Sequence, residues 1–180
     1  MFLVAQLFVL FAFGICKVSM FWQEDYTVNY EHVRLEYVNP EVFEFLELRN
    51  VKPNRTHKAF SLRSNLLLDI PDNDSYKANV KAYKLSTNSP DLLIFQYDIK
   101  LCQCLKKRIF GIDDLFRKGN FTPCPIKKGY YYFSNFILDY RRLPPGIPQG
   151  RYKFHVKLVF DTKTMAIGSL FLEVVYNVRS

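Results

Sequence analysis

Three cysteines in the middle of the chain, Cys102, Cys104 and Cys124, are the residues whose spacing most restricts their chemistry. Cys102 and Cys104 would need a strained local ring to pair with each other, so a disulfide should join one of these two to Cys124. A zinc site is rejected because no histidine lies near the three cysteines and because the C-x-C spacing lacks the usual two-residue spacer. One disulfide and one additional thiol are therefore expected.

The residues that could act as catalytic bases do not occur in a catalytic pattern. The histidines are His32, His57 and His155; His155 alternates with lysines on an outward strand face, and His57 lies beside a glycosylation sequon. The motifs of hydrolases, metalloproteases and nucleotide-binding loops are absent from the sequence. Asp113 and Asp114 would point about 100° apart on a helix and would not face each other as a glycosidase pair does. The sequence predicts a protein that is not an enzyme and needs no cofactor or metal.

Positive charge is concentrated in short clusters. The chain has 25 Lys and Arg against 17 Asp and Glu, a net charge of +8. The predicted basic patch consists of Lys106, Lys107, Arg108, Lys127 and Lys128. Such a patch would attract an anionic lipid surface, an acidic glycan or an acidic membrane receptor. The alternative interpretation is that these residues are an ordinary solvated surface that keeps the protein soluble. Nucleic acid is not an expected partner because no nucleic-acid-binding module is recognisable.

The first residues predict the compartment. Phe2–Ile15 form an apolar run that is too short for a standard membrane span. We therefore expect residues 1–16 to be a signal peptide and residues 17–180 to form one secreted, extracellular domain. Three glycosylation sequons agree with export; they begin at Asn54, Asn73 and Asn120. A monomer is expected, although the additional thiol offers a route to a disulfide-linked dimer.

Alternating apolar residues predict strands along most of the remaining chain. The alternating runs lie at 26–37, 60–70, 76–83, 93–99, 130–140, 152–160 and 165–178. The last two runs should form a β-hairpin around Asp161–Thr164, and a parity change near Glu31 and His32 predicts a β-bulge. Only Ile109–Lys118 has helical spacing. The predicted fold class is all-β: a two-sheet antiparallel immunoglobulin-like sandwich with one short helix.

Three segments of the carboxyl half carry a family resemblance. They run from Tyr97 to Leu105, from Gly119 to Pro125, where Cys124 precedes a proline, and from Leu143 to Tyr152 through a proline-rich turn. This pattern resembles a large insect family of secreted, uncharacterised single domains, which is similar to the chemosensory A and B proteins. That family is related to the ML lipid-recognition domains and to the ganglioside activator protein.

The resemblance implies an ML-type sandwich whose sheets are splayed far enough to hold an apolar ligand, and no catalysis. It also implies that Cys102 is the partner of Cys124, with Cys104 as a departure from the family pattern. The implied ligand is a small hydrophobic molecule, such as a fatty acid, a hydrocarbon or a pheromone, and the implied role includes chemosensation.

The residues expected to line the ligand site belong to the terminal hairpin. Their side chains share the inward parity of the two strands: Phe154, Val156, Leu158, Phe160, Leu170, Leu172, Val174 and Tyr176. The alternative is that the aromatic side chains fill a solid core. The protein would then be an extracellular interaction module that docks a receptor or an acidic glycan through its basic surface.

Overall fold

The computed structural model describes residues 24–55, 58–107, 113–137, 139–143 and 145–176. The predicted signal peptide, His57 and Arg108 lie outside these ranges. Eight strands are present in the described chain: β1 (Tyr26–Val38), β2 (Phe43–Val51), β3 (Ala59–Leu66), β4 (Tyr76–Lys84), β5 (Leu92–Lys100), β6 (Gly129–Phe136), β7 (Gly150–Phe160) and β8 (Lys163–Tyr176). Two short α-helices, α1 (Leu101–Lys107) and α2 (Asp113–Arg117), and a 3-10 turn at Tyr140–Arg142 complete the described elements.

The strands form two antiparallel sheets. One sheet has five strands in the order β1-β8-β7-β4-β5, and the other has three strands in the order β2-β3-β6. The predicted class, a two-sheet antiparallel sandwich, is confirmed. Alternation explains most of the arrangement, because a strand with alternating apolar side chains can place them on the face that the other sheet covers. The edge strand β5 is an exception, since none of its side chains is buried.

Two local predictions from the sequence are also confirmed. β7 and β8 form the terminal hairpin, in which Phe160 pairs with Lys163. The turn is tighter than expected, because only Asp161 and Thr162 remain outside the strands. The register of β1 against β8 shifts between Tyr30 and His32, where the bulge was predicted.

Three features differ from the expected elements. β2 was not predicted, because a register shift between Phe43 and Phe45 breaks its apolar alternation. α1 was not predicted either: Cys102 and Leu105 have helical spacing, but the apolar alternation of β5 continues into the first residues of this helix. Two predicted strands end early, since β3 stops at Leu66 and β6 stops at Phe136.

The buried side chains form two clusters. The larger cluster brings the disulfide cysteines together with Val42, Ile70 and Met165, and the smaller one surrounds Tyr26 and Tyr152 near the opposite end of the five-stranded sheet. The space between the two sheets beside the larger cluster is not fully filled. No helix in the described part of the chain is both long and apolar enough to cross a membrane.

Candidate ligand cavity between the sheets

A cavity of about 280 Å³ lies between the two sheets. This volume is near the lower end of the range for small-molecule sites, roughly 300 to 1,000 Å³. Most of its wall is aliphatic or aromatic and comes from both sheets. The five-stranded sheet supplies Val33, Leu35, Val156, Leu158 and Leu170, and the three-stranded sheet supplies Leu46, Leu48, Phe60, Leu62 and Leu66.

Small residues on β8 explain why the sheets leave space here. Ala166 pairs with Leu158, and Gly168 pairs with Val156, so both lie in the part of β8 that faces the cavity. Neither residue projects a large side chain toward the other sheet. A Cβ atom at Gly168 would lie 3.1 Å from the carbonyl oxygen of Arg34, which shows how closely β1 and β8 approach at this point. The cavity therefore follows from missing side-chain volume rather than from missing strands.

The structure distributes the eight predicted wall residues over several environments. Val156, Leu158 and Leu170 line the cavity. Phe160 packs against the larger core cluster, and Phe154 packs against the smaller one. The remaining three lie toward the end of β8: Leu172 and Val174 are buried in the smaller cluster, and Tyr176 is exposed. Only the middle of the hairpin thus reaches the cavity.

Residues outside the terminal hairpin form most of the wall. Phe60, Leu62 and Leu66 share one face of the predicted strand at 60–70, but the sequence does not show which sheet packs against that face. Phe121 comes from the loop closed by the disulfide, and Ile126 follows that loop directly after Cys124 and Pro125. Strand alternation was a usable signal for the first three residues, whereas no local signal identifies the last two.

Four polar residues line the cavity, and two of them have their polar groups engaged elsewhere. The Tyr131 hydroxyl donates to the carbonyl oxygen of Lys127 at 2.7 Å, and the Ser169 hydroxyl donates to Glu36 at 2.6 Å. The other two are Ser64 on β3 and Tyr76 on β4. Burial raises the pKa of Tyr76 to about 12, so its phenol stays protonated at neutral pH.

A serine, a histidine and a glutamate meet on the five-stranded sheet, and their geometry does not suit nucleophilic catalysis. The Ser169 Oγ lies 3.4 Å from His155 Nδ1, but it donates to Glu36, which lies 3.5 Å from the same Nδ1. In a catalytic triad the serine and the carboxylate use different nitrogens of the imidazole. Ser169 is 1% exposed, and its hydroxyl proton is already engaged in the bond to Glu36.

The cysteines are arranged as the resemblance implied. Cys102 and Cys124 form a disulfide with a Cα–Cα distance of 5.3 Å. Cys104 lies outside this bridge and is 1% exposed. Both Cys102 and Cys104 belong to α1, in a segment for which the sequence did not predict a helix.

The predicted basic patch is partly offset by neighbouring carboxylates. Lys106 forms an ion pair with Asp72, and Lys127 lies 3.2 Å from Asp69, which also accepts a hydrogen bond from the backbone of Lys128. These carboxylates belong to the segment between β3 and β4. Lys107 also belongs to the end of α1, whereas Arg108 lies outside the described residues.

The three sequons differ in what their asparagine side chains contact. Asn73 is exposed, and its side-chain oxygen accepts hydrogen bonds from the backbone and the hydroxyl of Ser75. The side-chain amide of Asn120 instead donates a hydrogen bond to the Tyr130 carbonyl oxygen and accepts one from the Tyr132 N–H. These are the two kinds of bond that a paired strand would make with β6. Asn54 is exposed, but the last residue of its sequon lies outside the described ranges.

These features define an all-β sandwich with an apolar space between its sheets, and comparison with known proteins agrees with the family resemblance. Residues 78–154 match the model of a family described as "Protein of unknown function (DUF1091)". This match confirms the predicted resemblance and extends from β4 into β7, including both disulfide cysteines. It begins before the three resembling segments and ends before β8.

One solved structure similar to this chain is the crystal structure of a Niemann-Pick type C2 protein from the Japanese carpenter ant. The two chains are 12% identical, and the alignment covers 76% of this chain and 96% of that chain with a TM-score of 0.33. No curated protein matches the chain.

Proposed function

We propose that this protein is a secreted, non-enzymatic carrier that binds a small hydrophobic ligand between its two sheets and presents it outside the cell. The observation that carries the proposal is the cavity of about 280 Å³ with a predominantly apolar wall. Burial of apolar ligand surface against such a wall contributes about 25 cal/mol per Å². Among the described residues, no group of three or more metal-ligating side chains offers a competing function.

The ligand site we propose is centred on Val156, Leu158 and Leu170, the three residues of the predicted wall that line the cavity. Phe60 and Leu62 face them from the opposite sheet. A role in chemosensation is part of the proposal and is supported by the family resemblance alone.

The first test is delipidation of the purified protein followed by mass spectrometry of the extract. A carrier should yield a reproducible lipid and should then take up a neutral fluorescent probe. An empty extract together with no probe uptake would contradict the proposal and favour an interaction module that acts through its basic surface.

Filling the cavity provides a sharper test. Val156→Phe adds a ring to the wall and should weaken probe binding by at least roughly tenfold, which corresponds to about 1.4 kcal/mol. Val159→Phe is the matched control, because Val159 lies on the same strand and does not line the cavity. Circular dichroism should show that both variants are folded. Equal binding by the two variants would exclude this cavity as the site.

A further inference from the structure

Two hydroxyl groups of the cavity wall are available to a ligand. Ser64 comes from the three-stranded sheet and Tyr76 from the five-stranded sheet, and both line the cavity. Within the described part of the chain, neither hydroxyl is engaged by another residue. Ser64 is only 3% exposed, so bulk water reaches it poorly. Neither is a fully buried unpaired group, which among the described residues is true of the Tyr30 hydroxyl alone, so both hydroxyls face space that a ligand oxygen could occupy.

A third hydroxyl lies directly behind the wall. The ring of Tyr30 stacks on Phe60 with 5.5 Å between the ring centroids, and Phe60 lines the cavity. The Tyr30 hydroxyl is buried and has no hydrogen-bond partner in the described chain. This region of the interior therefore has more hydrogen-bonding groups than the protein itself satisfies.

The wall offers no charge to go with these hydroxyls. None of the described residues that line the cavity is a lysine, arginine, histidine, aspartate or glutamate. A carboxylate or a phosphate inside the cavity would lose its hydration without gaining a cationic partner, which strongly disfavours the charged form. A pure hydrocarbon would avoid that penalty, but it would leave both hydroxyls unpaired.

We propose that the ligand is an uncharged lipid with a hydroxyl, ester or carbonyl oxygen, and that Ser64 and Tyr76 bind this oxygen. This inference rests on the proposed function and adds the chemical class of the ligand and two residues that determine specificity. The apolar chain of the lipid would lie along Val156, Leu158 and the facing leucines.

The test compares three straight-chain ligands of equal length: an alcohol, an alkane and a carboxylate. Each would displace a neutral fluorescent probe from the delipidated protein at neutral pH. The alcohol should bind roughly three- to tenfold more tightly than the alkane, as expected for a neutral hydrogen bond. It should also bind more tightly than the carboxylate. Lowering the pH to about 4 should strengthen binding of the acid, because protonation removes its charge.

Variants then assign the preference to the two hydroxyls. Ser64→Ala combined with Tyr76→Phe should reduce the preference for the alcohol over the alkane to about onefold, the ratio expected when the wall offers the ligand no hydrogen bond. Ser134→Ala is the matched serine control, because Ser134 is exposed on β6 and does not line this cavity.

The outcomes separate the two proposals. If the wild-type protein binds the neutral probe but favours the carboxylate at neutral pH, the carrier function stands and the neutral-lipid inference is wrong. An unchanged alcohol preference in the double variant would overturn the assignment of the two residues. If the wild-type protein takes up neither the probe nor any of the three ligands, the carrier function itself fails. Should the double variant not fold, the ligand comparison and its pH dependence in the wild-type protein still decide the ligand class.

Discussion

Glu31 shows how one irregular position in a strand creates a specific contact. It lies at the bulge of β1, and its carboxylate accepts two hydrogen bonds from the Arg151 guanidinium, at 2.6 and 2.8 Å. The pair joins β1 to β7 across the intervening β8. The hydrogen bonds from Arg151 hold the pKa of Glu31 below its usual value of 4.5, against an opposing effect of burial. The sequence predicted the bulge but not the arginine partner, because the two residues lie far apart along the chain.

The Glu31–Arg151 pair should make stability depend on pH. A carboxyl whose pKa is lowered by folding stabilises the native state above its unfolded pKa, and this contribution disappears as the pH falls through the lowered value. Glu31→Gln should therefore reduce the free energy of unfolding by about 0.5 to 1 kcal/mol at pH 7, since Arg151 is largely exposed. The difference from wild type should shrink to nearly zero well below pH 4.5. Urea titrations at several pH values would measure it; a difference that persists in acid would contradict this explanation.

The disulfide acts at the level of elements. It joins α1 to the loop before β6 and closes a segment with a sequence separation of 22 residues. Phe121 lies within that closed segment, Ile126 follows it, and both line the cavity. Ile126 is also fixed to Ile70 by a pair of backbone hydrogen bonds. The disulfide therefore restrains a part of the wall that no regular strand supports.

Removal of the disulfide should be costly. In the chain-entropy account, Cys102→Ser with Cys124→Ser should lower the free energy of unfolding by about 3 kcal/mol. For a domain of this size the midpoint of thermal unfolding should fall by roughly 6 to 12 °C. Cys104→Ala is the control for loss of a buried cysteine and should have a clearly smaller effect, because Cys104 is not in the disulfide. Calorimetry would compare the variants; similar losses in both would show that packing rather than cross-linking dominates.

At the scale of the whole molecule, a single asparagine links the two sheets. Asn50 on β2 accepts a hydrogen bond from the Val33 backbone at 2.6 Å and donates one to the Val33 carbonyl at 2.9 Å. The Asn50 side-chain amide thus makes the two hydrogen bonds that a paired strand would make, and it connects β2 of one sheet to β1 of the other. Val33 itself lines the cavity, so this contact holds one side of the wall in place.

Loss of the Asn50 amide should loosen the sandwich. Asn50→Ala should lower the free energy of unfolding by about 1 to 2 kcal/mol, because two hydrogen bonds to backbone groups disappear. Amide hydrogen exchange at Val33 should also become faster than in the wild-type protein. Asn88→Ala, at an exposed position between β4 and β5, is the matched control and should change neither quantity. Unaltered exchange at Val33 in Asn50→Ala would show that the asparagine does not hold the sheets together.

The chain's own pattern determined the fold class, most of the strands, the terminal hairpin and the bulge of β1. These features depend on neighbouring residues, since alternation and turn chemistry act over a few positions. The family resemblance, rather than spacing, distinguished Cys102 from Cys104 as the partner of Cys124. Alternation did not predict β2, because a register shift interrupts the two-residue period of its apolar side chains. It did not predict α1 either, because this helix is too short to show a clear helical period.

Only the tertiary structure decided where the cavity lies and which side chains form it. Val156, Leu158 and Leu170 line it, whereas Leu172 and Val174 on the same face of β8 are buried in another cluster. The alternation of a strand predicts which side chains point inward, but it does not predict which residues of the other sheet face them. That depends on the distance between sheets and on small residues such as Ala166 and Gly168, which become neighbours of the other sheet only when distant parts of the chain pack together.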